Sequence, residues 1–306
     1  MAAGSYLNRL AARARRVLGT TELLGRIDEL ESRIEALTSA VAAPAPAAPA
    51  GPLYFGDQTA LLSTRWGARM LVDTRDVAMA PWLVLDGLWE AHVTAWLQET
   101  VGPGMVFVDV GANVGYFTLL AAQLVGPSGK VVAVEAHPRL AGILQRNVVL
   151  NGFHGYVTVH HRAAWSEPTS LEFQMRDHFT SSSSLGRIDD DSLARLGDTV
   201  QAVTVEAVPL DDLLDGLPRV DVIKIDIEGA EAHALAGLKR TLAAHPQAVV
   251  MFEWGLSLIE AVGDDPKSLT AVVEGYGFKM RLLETGEPIT GEELLKLPYG
   301  NVLATR

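Results

Sequence analysis

The chain contains no cysteine. That absence removes disulfides, thiolate nucleophiles and cysteine-bound zinc, and it suits a cytoplasmic protein. Positive charge is scarce: 25 Lys and Arg face 37 Asp and Glu, for a formal net charge of -12 and a sequence pI near 5.1. Gripping phosphate backbones or an anionic membrane needs a basic footprint, so nucleic acid is not an expected partner and a neutral or cationic substrate is favoured. Long apolar runs are missing too. No stretch reaches the ~18 residues of a membrane span, and the N-terminus lacks an apolar core followed by a small-residue cleavage site, so a soluble, unexported chain is expected.

What is present suffices for a core. The 306 residues are 48% apolar, with mean hydropathy +0.18, enough for one large or two modest domains. Residues 5–19, YLNRLAARARRVLGT, predict a short basic amphipathic helix, either a peripheral membrane contact or a solvated lead-in. Leu23, Ile27, Leu30, Ile34, Leu37 and Val41 then alternate spacings of four and three. This short heptad pattern predicts a helical, coiled-coil arm over residues 1–41 that joins copies into a homo-oligomer; a helix packed on its own domain is the alternative. Residues 42–52, AAPAPAAPAGP, read as a stiff Pro/Ala linker, leaving 53–306 as the globular body.

Within that body, aromatic and apolar runs up to about residue 100 predict a strand pair followed by a helix, with Trp82, Trp89 and Trp96 as a helix core stripe. From residue 105 onward strands alternate with helices: MVFVDVG, a helix over 114–125, KVVAVEA, a helix over 139–151, YVTVHH, VDVIKIDI, a helix over 230–244, and AVVMFEW. Repeated βα units with apolar strands predict an α/β fold with a doubly wound, mostly parallel sheet. Ligands in such sheets lie at the carboxyl ends of the strands, near the switch in strand order.

VDVGANVGYF places Gly111 and Gly115 at a strand-to-helix turn with Asn113 between them. Glycine permits a tight turn and close approach of a ligand, and the helix start offers unpaired amides. The full G-x-G-x-x-G spacing is absent, which weighs against a dinucleotide. Glu135, a little over 20 residues past the turn and at the end of the next strand, can accept hydrogen bonds from the vicinal hydroxyls of a ribose.

Taken in order and at these separations, VDVGANVGYFTLLAA, VVAVEAHP and IKIDIEGAE resemble the FkbM family of S-adenosylmethionine-dependent O-methyltransferases, over roughly residues 53–305. DGLWE at 86–90 resembles the family's approach to the first strand. The resemblance implies a Rossmann-like class I methyltransferase fold. It implies that the turn from Asp109 through Gly111 and Asn113 to Gly115, with Phe117 beyond it, holds the methionine part of S-adenosylmethionine, and that Glu135 holds its ribose. RAAWSE would lie beside the adenine; it has no Asp where many related methyltransferases carry one, which leaves Ala163 there. The acceptor implied is a hydroxyl, foremost of a sugar in a glycan or glycolipid, with a polyketide or other small natural product as the alternative. A cofactor-binding but non-catalytic module within a larger assembly is a rival of another class.

VIKIDIEGAE brings acids to the end of an apolar strand. Methyl transfer to an alcohol needs the hydroxyl aligned and its proton accepted, and a carboxylate can do both. Asp226 and Glu228 are therefore the expected catalytic residues, with Lys224 beside them keeping Asp226 ionised. Two versions stand open: direct base catalysis, or a Mg²⁺ held by Asp226, Glu228 and Glu253. Glu231 is expected to steady the next helix. Trp89 and Glu90, with Lys224 and Glu253, complete the expected substrate side. His137 and His161 read mainly as structural or surface residues, and the Ser-rich segment 178–198 is either a lid or a surface loop.

Overall fold

The computed structural model describes residues 51–186 and 190–306. The predicted arm over 1–41, its heptads and most of the Pro/Ala linker lie outside the described residues. Gly51–Arg306 forms one contact unit.

The body begins with β1 (Leu53–Gly56), β2 (Thr59–Ser63) and β3 (Arg69–Asp73), an antiparallel sheet in that order. Three strands thus stand where a pair was expected. Two short helices follow, α1 (Ala80–Asp86) and α2 (Ala91–Thr100), broken at Gly87, whose positive φ of 60° caps the first. The break corrects the expected tryptophan stripe: Trp82 is 58% exposed, Trp96 is buried, and Trp89 sits in the connection between the helices.

Next come β4 (Val106–Val110), α3 (Tyr116–Val125), β5 (Lys130–Glu135), α4 (Pro138–Leu150), β6 (Val157–His161), β7 (Ala163–Ala164), β8 (Thr169–Arg176), α5 (Asp190–Leu196), β9 (Val200–Val208), α6 (Leu210–Leu213) and β10 (Val222–Ile225). The chain ends with α7 (Glu231–Ala236), α8 (Lys239–Ala244), β11 (Val249–Gly255), α9 (Leu256–Ala261), α10 (Pro266–Gly275), β12 (Lys279–Leu282), β13 (Pro288–Ile289), α11 (Gly291–Leu294) and β14 (Tyr299–Thr305). The helix expected over 230–244 is split at Gly237, where a Cβ would collide with the Trp165 carbonyl. Strands β7, β9 and β8 form a separate small sheet that the sequence pattern had not announced.

The main sheet runs β13-β12-β14-β11-β10-β4-β5-β6. Strands β11, β10, β4, β5 and β6 are parallel; β14, β12 and β13 add an antiparallel flank. This is a Rossmann-like, doubly wound sheet, with the switch in strand order between β4 and β10. Apolar side chains face both ways: Phe107, Val131, Val222 and Met251 meet α2 to α4 on one face, while Val108, Val132, Ile223 and Phe252 meet α7 and α10 on the other. Burial on both faces explains why these strands are near-continuous apolar runs. Among the described residues no helix is long and apolar enough to cross a membrane.

Candidate active site

Side chains alternate along a strand, so the first sheet face, apolar further back, ends in an ionisable residue on four neighbouring strands. These are Asp109 on β4, Glu135 on β5, Lys224 on β10 and Glu253 on β11, all buried. Such residues are tolerated only with partners or a ligand.

The turn after β4 is set by contacts to its neighbours. Gly111 has φ 79°, and a Cβ there would fall on the carbonyl oxygen of Asp226, so the turns after β4 and β10 touch through backbone alone. Asn113, at φ 52°, donates its N–H to Glu135 Oε2 at 2.7 Å, and the His137 N–H donates to Oε1 at 2.7 Å. Burial pushes the Glu135 carboxyl up to about 7, against these two N–H groups, which favour its ionised form. Each oxygen retains acceptor capacity for a ligand hydroxyl.

Gly111 and Glu135, with Ala163, Phe173, Leu185 and Ile227, help to line a solvent-open cavity at the carboxyl ends of β4 and β5. Its glycine floor, buried acid acceptor and apolar walls fit a nucleoside with an amino-acid tail. Those residues fit S-adenosylmethionine: Glu135 would accept from its ribose, Gly111 and Asn113 would form the turn beside its methionine part, and Ala163 and Ala164 would leave room for its base.

A second, roomier cavity, also open to solvent, lies beside the first. Trp89, Tyr116 and Phe117 form an aromatic wall, and Glu90, Glu253 and Tyr299 lie on its lining. Gly111, Asn113, Ser181, Asp226 and Glu228 line both cavities. The two spaces therefore meet at the end of β10.

Lys224 Nζ donates to Asp226 Oδ2 at 2.9 Å and lies 5.0 Å from the centre of the Phe117 ring. Burial works against its charge, but Asp226, Asp109 and Glu90 hold it above the ordinary lysine range. Burial, then Asp226 and Glu231, pushes Glu228 up to about 8; burial, then Asp226, pushes Glu90 up to about 7. Both residues have left-handed backbone, φ 57° and 38°, a conformation that costs energy outside glycine and gathers at functional sites. Burial, then Asp226 and Glu228, also raises Glu253 well above the carboxylate range, although the Tyr299 hydroxyl donates to its Oε1 at 2.8 Å. Glu231 accepts the N–H groups of Ile227 and Gly229 at 2.9 and 3.3 Å, so from the first turn of α7 it braces the 226–230 turn before that helix.

Several expected site residues are placed elsewhere. Asp109 lines neither cavity; it is fully buried, accepts the Thr118 hydroxyl at 2.5 Å and faces Lys224 across the β4–β10 pair. Gly115 lines neither cavity, and a Cβ there would strike Leu144, so its role is helix packing. Phe117 faces the second cavity rather than the first. The Mg²⁺ version is also corrected: among the described residues no three His, Asp or Glu gather as a ligand set, and Lys224 and Tyr299 already bond to Asp226 and Glu253. His137 caps α4 by accepting the Arg139 N–H at 3.2 Å, and burial lowers it to about 4. His161 lines neither cavity.

Thr180, Ser181, Ser183 and Leu185 roof the first cavity and Ser181 and Ser182 the second, so the described part of the Ser-rich segment does cover the site. The Ser181 N–H donating to Asp76 Oδ2 at 3.1 Å and the paired backbone bonds of Ser184 and Gln174 help to anchor it. Sequence reasoning missed Phe173 and Tyr299. Phe173 had a faint signal, an apolar residue in an alternating β8, while Tyr299 had none, because an antiparallel return strand far along the chain delivers it.

The model of the methyltransferase FkbM domain matches residues 109–280. Over 144 residues the chain is 31% identical to "Methyltransferase 1" of Beauveria bassiana, covering 43% of this chain and 57% of that protein. Over 195 residues it is 28% identical to "Methyltransferase sdnD" of Sordaria araneosa, covering 56% of this chain and 72% of that one. The chain thus spans little more than half the length of the first relative. A solved structure titled methyltransferase FkbM, from Methylobacillus flagellatus KT, aligns with a TM-score of 0.40 at 16% identity, over 70% of this chain and 50% of that one. With the domain match covering more than half of its 306 residues, the chain belongs to the methyltransferase FkbM domain family.

Proposed function

We propose that the protein is an S-adenosylmethionine-dependent O-methyltransferase whose acceptor is a hydroxyl, foremost of a sugar or glycan. One observation carries this reading: Asp226 and Glu228 line both cavities, at the junction where a group held in one could reach a group held in the other. The bound cofactor would supply an electrophilic methyl on a sulfonium.

The rest falls to the chain. Asp226 would accept a hydrogen bond from the acceptor hydroxyl and take up its proton as that oxygen gains the methyl. Lys224, bonded to Asp226 at 2.9 Å, holds that carboxylate in place. Trp89, half-buried on this lining and backed by buried Tyr116 and Phe117, is the aromatic side chain against which a sugar ring can rest, and the serine roof excludes water. An oriented hydroxyl needs less entropy to reach the transition state. A purely cofactor-binding module would have no use for the second cavity or for its two strained acids.

The test is transfer of a labelled methyl to a panel of sugars and glycosides, with the product's methyl environment read by NMR. An O-methyl product supports the reading. No transfer to any hydroxylated acceptor, from a protein that binds S-adenosylhomocysteine, would refute it.

A further inference from the structure

The acceptor cavity carries four carboxyl groups, Glu90, Asp226, Glu228 and Glu253, and one basic side chain, Lys224. Lys224 is already committed to Asp226. Neither Glu90 nor Glu228 has a side-chain hydrogen bond or ion pair among the described residues. Glu253, only 7% exposed, has one oxygen on Tyr299 and leaves Oε2 buried without a partner. A buried carboxylate oxygen without a partner is costly, and with half-buried Glu90 and Glu228 beside it the cavity lining has more acid than base, a setting that favours a cation.

The acids divide by position. Asp226 and Glu228 line both cavities, so a sulfonium in the first would answer them. Glu90 and Glu253 line only the second, beside Tyr299 and the wall of Trp89, Tyr116 and Phe117. Half-buried Trp89 beside carboxylates suits an ammonium group, through cation–π attraction and charge-assisted hydrogen bonds.

We propose that the acceptor is a hydroxylated amine, an amino sugar or an amino polyol, whose ammonium group binds at the Glu90–Glu253 end of the cavity while its hydroxyl meets Asp226. The inference rests on reading this cavity as the acceptor site. It also explains the choice of atom: an ammonium has no free lone pair, so an amine kept protonated by two acids is not methylated and the hydroxyl is. An ammonium there would also favour ionised Glu90 and Glu253, which stand raised without it.

The test uses probes that differ by one group: glucosamine against glucose and N-acetylglucosamine, and serinol against glycerol. Each is titrated by ligand-observed NMR into the full chain saturated with S-adenosylhomocysteine. The amine members should bind at least about tenfold more tightly, and Glu253→Gln and Glu90→Gln should each shrink that preference to about twofold with affinity for the neutral members kept. Equal binding within the pairs, tighter binding of the neutral members, or no binding of any probe overturns the inference. Methyl transfer to neutral hydroxyls with no amine preference would sink it and leave the proposed function standing. Selective amine binding with no hydroxyl ever methylated would do the reverse.

Discussion

Lys224 and Asp226 form an ion pair at 2.9 Å, in which the lysine side chain is 2% exposed and the carboxylate 25%. The lysine is locked in the sheet and the acid looks into the junction of the two cavities. Lys224→Met should therefore lower turnover by at least about a hundredfold and cost about 3 kcal/mol of stability, because Asp226 and Asp109 lose their common cation. Denaturant unfolding and steady-state kinetics check both effects. A stable variant with near-normal turnover would show that the pair does nothing for the reaction.

Glu135→Gln should weaken S-adenosylhomocysteine binding by about tenfold or more, since a charge-assisted acceptor is lost at a buried site. Calorimetry measures it, and a melting temperature close to that of the parent protein confirms that the loss is local. Unchanged affinity would remove Glu135 from the cofactor site.

Gly111→Ala should be severely destabilising, by about 3 kcal/mol or more, because the new methyl meets the Asp226 carbonyl and the residue sits at φ 79°. Loss of cofactor binding should accompany it. A folded, binding-competent variant would contradict the backbone contact between the two turns.

Stability should fall as pH rises from about 6.5 to 9. Burial lifts Glu228 to about 8 and Glu90, Glu135 and Glu231 to about 7. An acid with a raised folded-state pKa favours the fold below its unfolded value and loses that contribution as pH climbs through the folded one. The lowered Asp73, Asp198 and Glu293 and the lowered His137 act at more acidic pH, outside this window. Thermal melts across the range should show the decline, and Glu228→Gln should flatten its upper part. A profile unaltered by that substitution would show that Glu228 is not held protonated.

Much of this was legible in the residues. Alternating βα patterning announced the parallel strands, because strands buried on both faces must be apolar throughout. Glu135, Asp226 and Glu228 were legible as polar residues interrupting or ending such runs. Less legible were features set by distant parts of the chain. Phe117 looks local to the glycine turn, yet it follows the start of α3 and points to the other cavity. Asp109 reads like a cofactor acid, but strand alternation turns it inward to Thr118 and Lys224. Tyr299 reaches Glu253 only because β14 inserts antiparallel beside β11, a pairing that no local pattern encodes.

The most direct test of the central claim compares the parent protein with Asp226→Asn, using S-adenosylmethionine labelled with ¹³C in the methyl group and an accepted substrate. The account predicts an O-methyl signal from the parent and a rate lower by at least about a hundredfold from the variant, with S-adenosylhomocysteine affinity within about threefold. An N-methyl or C-methyl product, or an Asp226→Asn variant that turns over near the parental rate, would contradict it.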